Sequence, residues 1–555
     1  MAKNNLEIAQ EAELLPIADI AAKDLSLSPD DYDLYGKYKA KLTFGALSND
    51  KSASRNPLGK LVLVSAMTPT PFGEGKTTTT IGLTQGLRKL GKRSISATRE
   101  PALGPIFGIK GGAAGGGYSQ VLPMEDINLF FTGDFPAIQA AHNLLSAAID
   151  AHLYHGNASK LDVRRISWPR TVDMNDRALR HATIGLGGVN GGMPREDGFV
   201  ITPASEVMAI LCLSRSIADL KERLGSVIVG ERRDRTPVFA KEIGVVGAMA
   251  VLLKDAIRPN LVQTIEHGPA LVHGGPFGNI AHGCSSVIST EYGLRTADYT
   301  ITEGGFGSDL GGEKFLNIVA PLLSQGVTGK QGPDAIVCVG TVRAIKHHGD
   351  GDVSIGCQNL LRHGRHLNQY GPPVILALNR FYTDTESDLN LIVSECAKEG
   401  FNCVVANPFG AGGEGCTDLA VEVAQACDGQ SSFKSLHDPD ATIEERLQTT
   451  VKRIYGGNQV IYSETAKSAL RWAEKHGFNR LPVCVAKTQY SLSDDPRLLN
   501  APTAFDLHIQ DIRFSLGARF AVAFAGDILL MPGLGKDPAA FHIDIDDSGR
   551  ISGLF

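Results

Sequence analysis

The feature that most constrains the fold is a short apolar run followed directly by a glycine-containing loop and an amphipathic helix. Residues 61–67 are almost continuously apolar, which is typical of a parallel strand covered on both faces. Leucine then recurs at helical spacing from Leu83 to Leu90, where Gly91 ends the predicted helix, and residues 94–97 are predicted to form a second strand. This βαβ unit predicts an α/β fold with a parallel sheet.

The loop between the first strand and the helix has the composition of a phosphate-binding loop, or P-loop. Such a loop presents backbone N–H groups, a helix N-terminus and a lysine to the anion. Lys76 can supply that charge, and the hydroxyl of Thr77 stands where these loops usually place a magnesium ligand. Thr70 departs from the common pattern, which has a glycine there. The alternative is a glycine-rich turn with an incidental lysine.

Arg99 is a candidate for binding a second anion. It follows the second predicted strand, at the sheet edge where open parallel sheets bind ligands, and precedes the glycine-rich run 104–117. A guanidinium there can bind an anion through two parallel hydrogen bonds. Two alternatives remain open: Arg99 forms a salt bridge with Glu100 or another acid, and the glycine-rich run is a flexible hairpin.

Two phenylalanines are candidates for binding a flat heterocycle. Phe381 and Phe409 follow the predicted strands 374–378 and 404–406, and both are flanked by polar and turn residues. Aromatic rings in that position suit the opposing walls of a binding slot. Packing of one or both rings in the core is the alternative.

The rest of the chain predicts several domains. Strand and helix alternate again between 334 and 428, residues 428–439 are typical of a linker, and extended segments are expected at 507–514 and 520–524. Five arginines between Arg164 and Arg180 are interpreted as solvated or salt-bridged faces. The predicted division is a P-loop α/β domain at 1–365 with an inserted, mainly helical subdomain at about 130–235, an α/β domain at 366–440 and a C-terminal domain at 441–555.

Composition excludes several classes of protein. The 555 residues are 43% hydrophobic and 21% charged, as in ordinary globular proteins, and the net charge of −6 does not favour nucleic-acid binding. The apolar run 243–253 is shorter than the ~20 residues of a membrane-spanning helix, and the N-terminus does not resemble a secretory signal or mitochondrial presequence. We therefore expect a cytoplasmic protein. The nine cysteines form no Cys-x-x-Cys pair and are expected to be reduced and mostly buried.

Distinctive strings at six places closely resemble the formate–tetrahydrofolate ligase family, also called formyltetrahydrofolate synthetases. The resemblance extends from Tyr32 to Phe555. The strings are 67–79, 99–118, 131–134, 272–284, 379–385 and 486–491.

The resemblance implies an activity and a set of site residues. Members join formate and tetrahydrofolate at the expense of ATP, through enzyme-bound formyl phosphate, and the resemblance also implies Mg²⁺, a monovalent cation (K⁺ or NH₄⁺) and a homotetramer. Formate and formyl phosphate are assigned to Arg99, Lys76 and Thr78, and the pterin to a sandwich between Phe381 and Phe409. The residues assigned to ATP are Thr70, Pro71, Phe72, Gly73, Glu74, Gly75, Lys76 and Thr77.

Asp134 is the candidate that would accept or relay the proton of the attacking amine. The alternative is a structural salt bridge to the arginine-rich region. Three departures from the family pattern bear on the site: Phe409 replaces a common tryptophan, and Phe130 and Pro136 stand where histidines are expected. A fourth, Phe72, replaces a common alanine and is expected to be tolerated.

Two other functions compete with the ligase. A nucleoside-triphosphate switch or scaffold ATPase would use the loop without acyl-transfer chemistry, but it has no need for paired phenylalanines. A family member that has lost activity is disfavoured, because Lys76, Arg99 and Asp134 are all present.

Overall fold

The protein is a mixed α/β structure built on one large sheet. The computed structural model describes residues 3–48, 58–71, 73–108, 114–429 and 431–554. In this part of the chain twelve strands belong to the large sheet. They are β1 (Tyr32–Leu34), β2 (Ala40–Leu42), β3 (Lys60–Ala66), β4 (Ser94–Thr98), β5 (Gly115–Gly116), β6 (Ser119–Leu122), β7 (Asn260–Thr264), β8 (Pro269–Val272), β9 (Tyr299–Glu303), β10 (Ala335–Gly340), β11 (Val374–Asn379) and β12 (Asn402–Ala406).

The centre of the sheet is parallel and its first edge is antiparallel. The strand order is β1-β2-β7-β8-β4-β9-β3-β10-β11-β12, with β6 paired to β7 and β5 to β6. From β8 to β12 every neighbouring pair is parallel, whereas β7 is antiparallel to β8, β2 and β6. The central strands β4, β9 and β10 are buried along their whole length. That burial agrees with the rule that parallel sheets are covered on both faces.

Helices cover the sheet and build the smaller parts of the molecule. The longest is Asp134–Tyr154. The other helices with α geometry are Asn5–Glu11, Ile17–Leu25, Phe44–Ser48, Lys76–Lys89, Leu103–Phe107, Met124–Asn128, Glu206–Leu213, Ile217–Gly225, Ala240–Ile243, Val246–Leu252, Val287–Thr296, Ala320–Ser324, Val342–His348, Val353–Asn368, Glu386–Lys398, Pro408–Ala411, Thr417–Cys427, Ile443–Thr449 and Glu464–His476, and segments with π geometry are Ser308–Gly312, Phe315–Val319 and Thr450–Tyr455.

Shorter strands form small sheets outside the large one. In the C-terminal region Phe520–Phe524 pairs in parallel with Val483–Ala486 and antiparallel with Asp511–Ser515. The remaining short strands are Leu161–Ile166, Arg170–Val172, Ala182–Ile184, Arg195–Asp197, Phe199–Ile201, Ile228–Arg232, Pro237–Phe239, Val460–Tyr462, Leu507–Ile509, Asp544–Ile545 and Ile551–Ser552.

The elements predicted from periodicity are confirmed. The first βαβ unit is β3, the helix Lys76–Lys89 and β4, and Gly91 lies just past the helix end with φ +73°. The later alternation is also present, as β10, β11, β12 and the helices Glu386–Lys398 and Thr417–Cys427. The prediction that the arginine-rich stretch is salt-bridged is confirmed as well, for example by an Arg170–Asp150 pair at 2.6 Å.

The predicted domain boundary at residue 365 falls between strands that belong to one continuous sheet. Strands β11 and β12 lie beyond residue 365, yet they extend the sheet that contains β3. The segment 130–235 holds short strands as well as helices, so it is more mixed than the predicted mainly helical insertion. The division into domains stays a prediction.

The cysteines lie mostly in the interior of the protein. Eight of the nine are buried and Cys403 is half-buried, which confirms the prediction that they are mostly buried. Among helices of the described part, none combines the length and apolarity that crossing a bilayer requires.

Candidate functional site

The candidate site lies where three neighbouring parallel strands end. Strand β9 is inserted between β3 and β4: Glu303 is in register with Val64 of β3, and Thr302 with Ala97 of β4. Because the strands are parallel, the segments that follow β3, β4 and β9 leave the same edge of the sheet. The loop before Lys76, the side chain of Arg99 and the carboxylate of Glu303 thus belong to one region.

The loop after β3 leads directly into the helix Lys76–Lys89. Gly75 caps this helix with φ +70°, in the left-handed region, and a Cβ there would lie 2.3 Å from Nδ2 of Asn379. Lys76, Thr77 and Thr78 form the first turn and are half-buried. Phe72 lies outside the described residues. The strand–loop–helix context predicted for a phosphate-binding loop is present, and the ligand itself stays a prediction.

The side chain of Glu74 bonds to the start of the loop. Its Oε1 accepts hydrogen bonds from the backbone N of Thr70 at 2.7 Å and from Oγ1 of Thr70 at 2.8 Å. Its Oε2 accepts from the hydroxyl of Thr341, and the side chain is 2% exposed. This contact gives a physical reason for a threonine at position 70, where the common pattern has glycine.

Replacing Glu74 by alanine is expected to loosen the loop. The N–H and hydroxyl of Thr70 and the hydroxyl of Thr341 would lose their hydrogen bonds to Glu74, and a hydrogen bond to a charged group contributes about 1.5–3 kcal/mol. We expect a lower thermal midpoint and weaker ATP binding, measured by thermal denaturation and calorimetric titration. Glu474→Ala, which truncates an exposed glutamate, is the control. Unchanged stability and ATP affinity in Glu74→Ala would show that the loop is held by other contacts.

Arg99 follows β4 directly, as predicted, and is held on two sides. Its Nη1 donates to the carbonyl of Pro276 at 3.2 Å, and its Nη2 lies 3.8 Å from Oε1 of Glu303. The side chain is 20% exposed, and its buried Nε has no hydrogen-bond partner among the described residues. The acid beside Arg99 is therefore Glu303, at the end of the neighbouring strand, and not Glu100.

Glu303 is a candidate site residue that sequence reasoning missed. It is 1% exposed, and its Oε2 accepts the hydroxyl proton of Thr77 at 2.8 Å. One carboxylate therefore contacts the first turn of the helix and faces the guanidinium of Arg99. The available signal was the β-branched run 300–302, which the sequence analysis did not predict to be a strand, followed by this acid and by Gly304 and Gly305.

Asp134 lies in a buried polar cluster. Its Oδ1 pairs with Nζ of Lys41 at 2.7 Å and its Oδ2 accepts from Nδ2 of Asn260 at 2.7 Å. Glu100 is adjacent: burial, and then the charge of Asp134, hold the pKa of the Glu100 carboxyl well above its ordinary value. The ion pair of Asp134 is thus with Lys41 of β2, and not with the arginine-rich region.

The two candidate aromatic side chains lie outside the buried core. Phe381 is half-buried, and its ring centroid is 5.1 Å from the Cζ of Arg343. The Nη2 of Arg343 also donates a hydrogen bond to the carbonyl of Gly73 at 2.8 Å. Phe409 is 39% exposed and packs on Gly117, where a Cβ would approach the ring Cγ to 2.8 Å. The described part of the glycine-rich run thus supports Phe409, whereas residues 109–113 of that run lie outside the described residues.

The oxygen atoms at Thr77 and Glu303 fit a magnesium ion. Mg²⁺ prefers hydroxyl, carboxylate and phosphate oxygens, and it is commonly held by one or two protein groups together with a nucleotide. Within the described ranges no three His, Cys, Asp or Glu side chains group closely enough to hold a metal ion by themselves. A cation at this place would therefore depend on the nucleotide for most of its ligands.

Fold and site together define an α/β protein with a strand–loop–helix unit and an arginine at the carboxyl edge of a parallel sheet. The family model for formate–tetrahydrofolate ligase matches residues 3–555. A formate–tetrahydrofolate ligase of Lacticaseibacillus paracasei is 50% identical over 566 residues, covering 100% of both chains. One of Lactiplantibacillus plantarum is 51% identical over 562 residues, covering 99% of this chain and 100% of its own. The chain belongs to the formate–tetrahydrofolate ligase family.

Proposed function

We propose that this protein joins formate to tetrahydrofolate in an ATP-dependent reaction that yields 10-formyltetrahydrofolate, ADP and phosphate. Family membership over the whole chain supports the reaction. The observation that supports the site is the convergence of the Lys76 loop, Arg99 and Glu303 at one sheet edge. An anion-binding loop next to a second guanidinium suits a reaction between a nucleotide phosphate and a carboxylate.

The chemistry explains why ATP is needed. Formate is a poor acyl donor because its leaving group would be oxide, and phosphorylation converts that group into phosphate. In the first step a formate oxygen attacks the γ-phosphorus of ATP, the bond to the bridging oxygen breaks and ADP leaves. In the second step the N10 amine attacks the formyl carbon of formyl phosphate, and phosphate departs as the amine loses its proton.

The proposed roles in the first step are electrostatic. Lys76 and the backbone N–H groups of the loop from Thr70 to Thr77 would bind the nucleotide phosphates, and Thr78 would contact the transferred group. Arg99 would hold formate in line with the γ-phosphorus and then retain formyl phosphate. A bound Mg²⁺ would stabilise negative charge on the phosphoryl oxygens. Thr77 would hold it through its hydroxyl.

The second step needs an acceptor for the amine proton. Asp134 is the proposed acceptor, and this role requires one of its two contacts, with Lys41 or with Asn260, to open. Phe381 and Phe409 are the proposed walls of the pterin site.

Replacing Phe409 by alanine is expected to weaken tetrahydrofolate binding more than ATP binding. Losing one stacked ring costs about 1–3 kcal/mol, which corresponds to a rise in KM of about fivefold to a hundredfold. Steady-state kinetics with each substrate varied in turn measure this. Phe541→Ala removes a 71% exposed ring as the control. An equal rise in KM for both substrates would contradict a pterin-specific role.

One assay separates the ligase from an ATPase switch. ADP release from the purified protein is measured with formate and with tetrahydrofolate omitted in turn. The ligase requires both for sustained ADP release, whereas a switch or scaffold ATPase would release ADP without either.

Three further properties are proposed from the family resemblance. They are a homotetramer, activation by K⁺ or NH₄⁺, and residence in the cytoplasm. Light scattering and activity in chloride salts of K⁺, NH₄⁺ and Na⁺ test the first two, and cell fractionation tests the third.

A further inference from the structure

One buried carboxylate connects the two predicted anion sites. Glu303 accepts the Thr77 hydroxyl proton at 2.8 Å through Oε2, while its Oε1 lies 3.8 Å from Nη2 of Arg99. Oε1 is buried and has no hydrogen-bond partner among the described residues. Such an oxygen is costly to leave unpaired, so Glu303 is poised to change its contacts when a ligand arrives.

The geometry sets up a competition for Arg99. In the ligand-free protein the carboxylate of Glu303 faces the guanidinium of Arg99, and this interaction is weakly screened because Glu303 is 1% exposed. A carboxylate ligand arriving at Arg99 would therefore bind against the charge of Glu303.

Binding at the nucleotide site would relieve this competition. When Thr77 holds the cation that accompanies a nucleotide, the carboxylate of Glu303, already bonded to Thr77, gains a positive neighbour on that side. Glu303 would then be drawn toward Thr77 and away from Arg99, which would leave the guanidinium to the acid substrate. Because coupling between two sites is reciprocal, an anion bound to Arg99 would equally release Glu303 to face the cation.

We propose that Glu303 is a positioning residue that makes binding of the magnesium nucleotide and binding of formate mutually favourable. This inference rests on the proposed function, because it takes Thr77 as part of the nucleotide site and Arg99 as part of the formate site. It adds a thermodynamic link between the two sites, carried by one side chain that touches both.

The test measures binding rather than turnover. Calorimetric titration of the full-length protein with a non-hydrolysable ATP analogue and Mg²⁺, without and with saturating sodium formate, gives the coupling factor. We expect formate to tighten analogue binding at least about fivefold in the unaltered protein, with the same factor for formate when the analogue is bound. The factor is expected to fall when Mg²⁺ is replaced by EDTA.

Glu303→Gln removes the charge and keeps the shape of the side chain. In this variant each ligand is expected to bind on its own, and formate is expected to bind more tightly than it does to the unaltered protein. Saturating formate is expected to leave the affinity for the ATP analogue unchanged. Glu291→Gln is the matched control, because Glu291 is a buried glutamate of the neighbouring helix Val287–Thr296. It should keep the full coupling. Full coupling in Glu303→Gln would overturn the proposal.

A second variant keeps the proposal testable if circular dichroism shows that Glu303→Gln does not fold. Glu303→Asp keeps the charge but shortens the reach, so it cannot contact Thr77 and face Arg99 together, and reduced coupling is expected. Retention of the full factor would overturn the proposal. Independent binding of both ligands to the unaltered protein would overturn it too and leave the proposed function standing. If neither ligand binds the unaltered protein, the proposed function itself fails.

Discussion

Alanine at position 76 is expected to reduce the rate of ATP-dependent product formation by about 10²–10³-fold, the usual effect of removing one preorganised donor from a developing negative charge. Lys76 is the first residue of its helix, where its ammonium adds to the positive end of the helix dipole. Loss of the ammonium leaves the backbone N–H groups in place. We therefore expect kcat to fall more than ATP affinity does.

The measurement is single-turnover ADP formation, paired with calorimetric binding of a non-hydrolysable ATP analogue. Lys92→Ala is the matched control, since Lys92 is exposed beyond the other end of the same helix. It should be unaffected. Near-normal turnover in Lys76→Ala would contradict the assignment of this loop to the nucleotide phosphates.

Serine at position 99 is expected to abolish efficient use of formate while ATP binding survives. Truncating one partner of a buried, hydrogen-bonded charge pair, here the proposed pair of Arg99 with formate, costs about 2–5 kcal/mol, so kcat/KM for formate should fall by about 30-fold to 5,000-fold. The loss has a second cause: without the guanidinium, the buried charge of Glu303 faces the incoming carboxylate unopposed.

Formate saturation curves at fixed ATP measure the effect. Arg93→Ser is the matched control, because Arg93 precedes the same strand β4 at its opposite end and its side chain is 56% exposed. An unaltered formate KM in Arg99→Ser would show that the acid binds elsewhere.

Local pattern was sufficient for the elements and for most of the candidate residues. The strand β3 was predictable because burial on both faces produces a continuous apolar run. Its helix was predictable from the spacing of its leucines, although the structure buries every residue from Thr79 to Leu87 and not one face alone. Arg99, Phe381 and Phe409 became candidates because each follows a predictable strand, and such positions share one edge in a parallel sheet. Their roles stay predictions.

Glu303 and Lys41 were beyond the reach of the same reasoning. The strand β9 was not predicted, and no local pattern shows that it inserts between β3 and β4. Thr77 and Glu303 are 226 positions apart. Lys41 belongs to a three-residue strand in a polar stretch, and only its pairing beside β7 buries it next to Asp134. Both contacts are set by strand order, which hydrophobic periodicity does not encode.

The position of β9 also governs when the site can exist during synthesis. Two parts of the candidate site leave the ribosome early: the loop that precedes Lys76, and Arg99. The strand β9, which lies between β3 and β4, ends only at residue 303. Until then a nascent chain holds β3 and β4 without the neighbour common to both, and the segment 99–298, which connects β4 to β9, must close at an entropic cost before β9 can insert. The sheet edge that brings the Lys76 loop, Arg99 and Glu303 together can therefore form only after more than half of translation is complete.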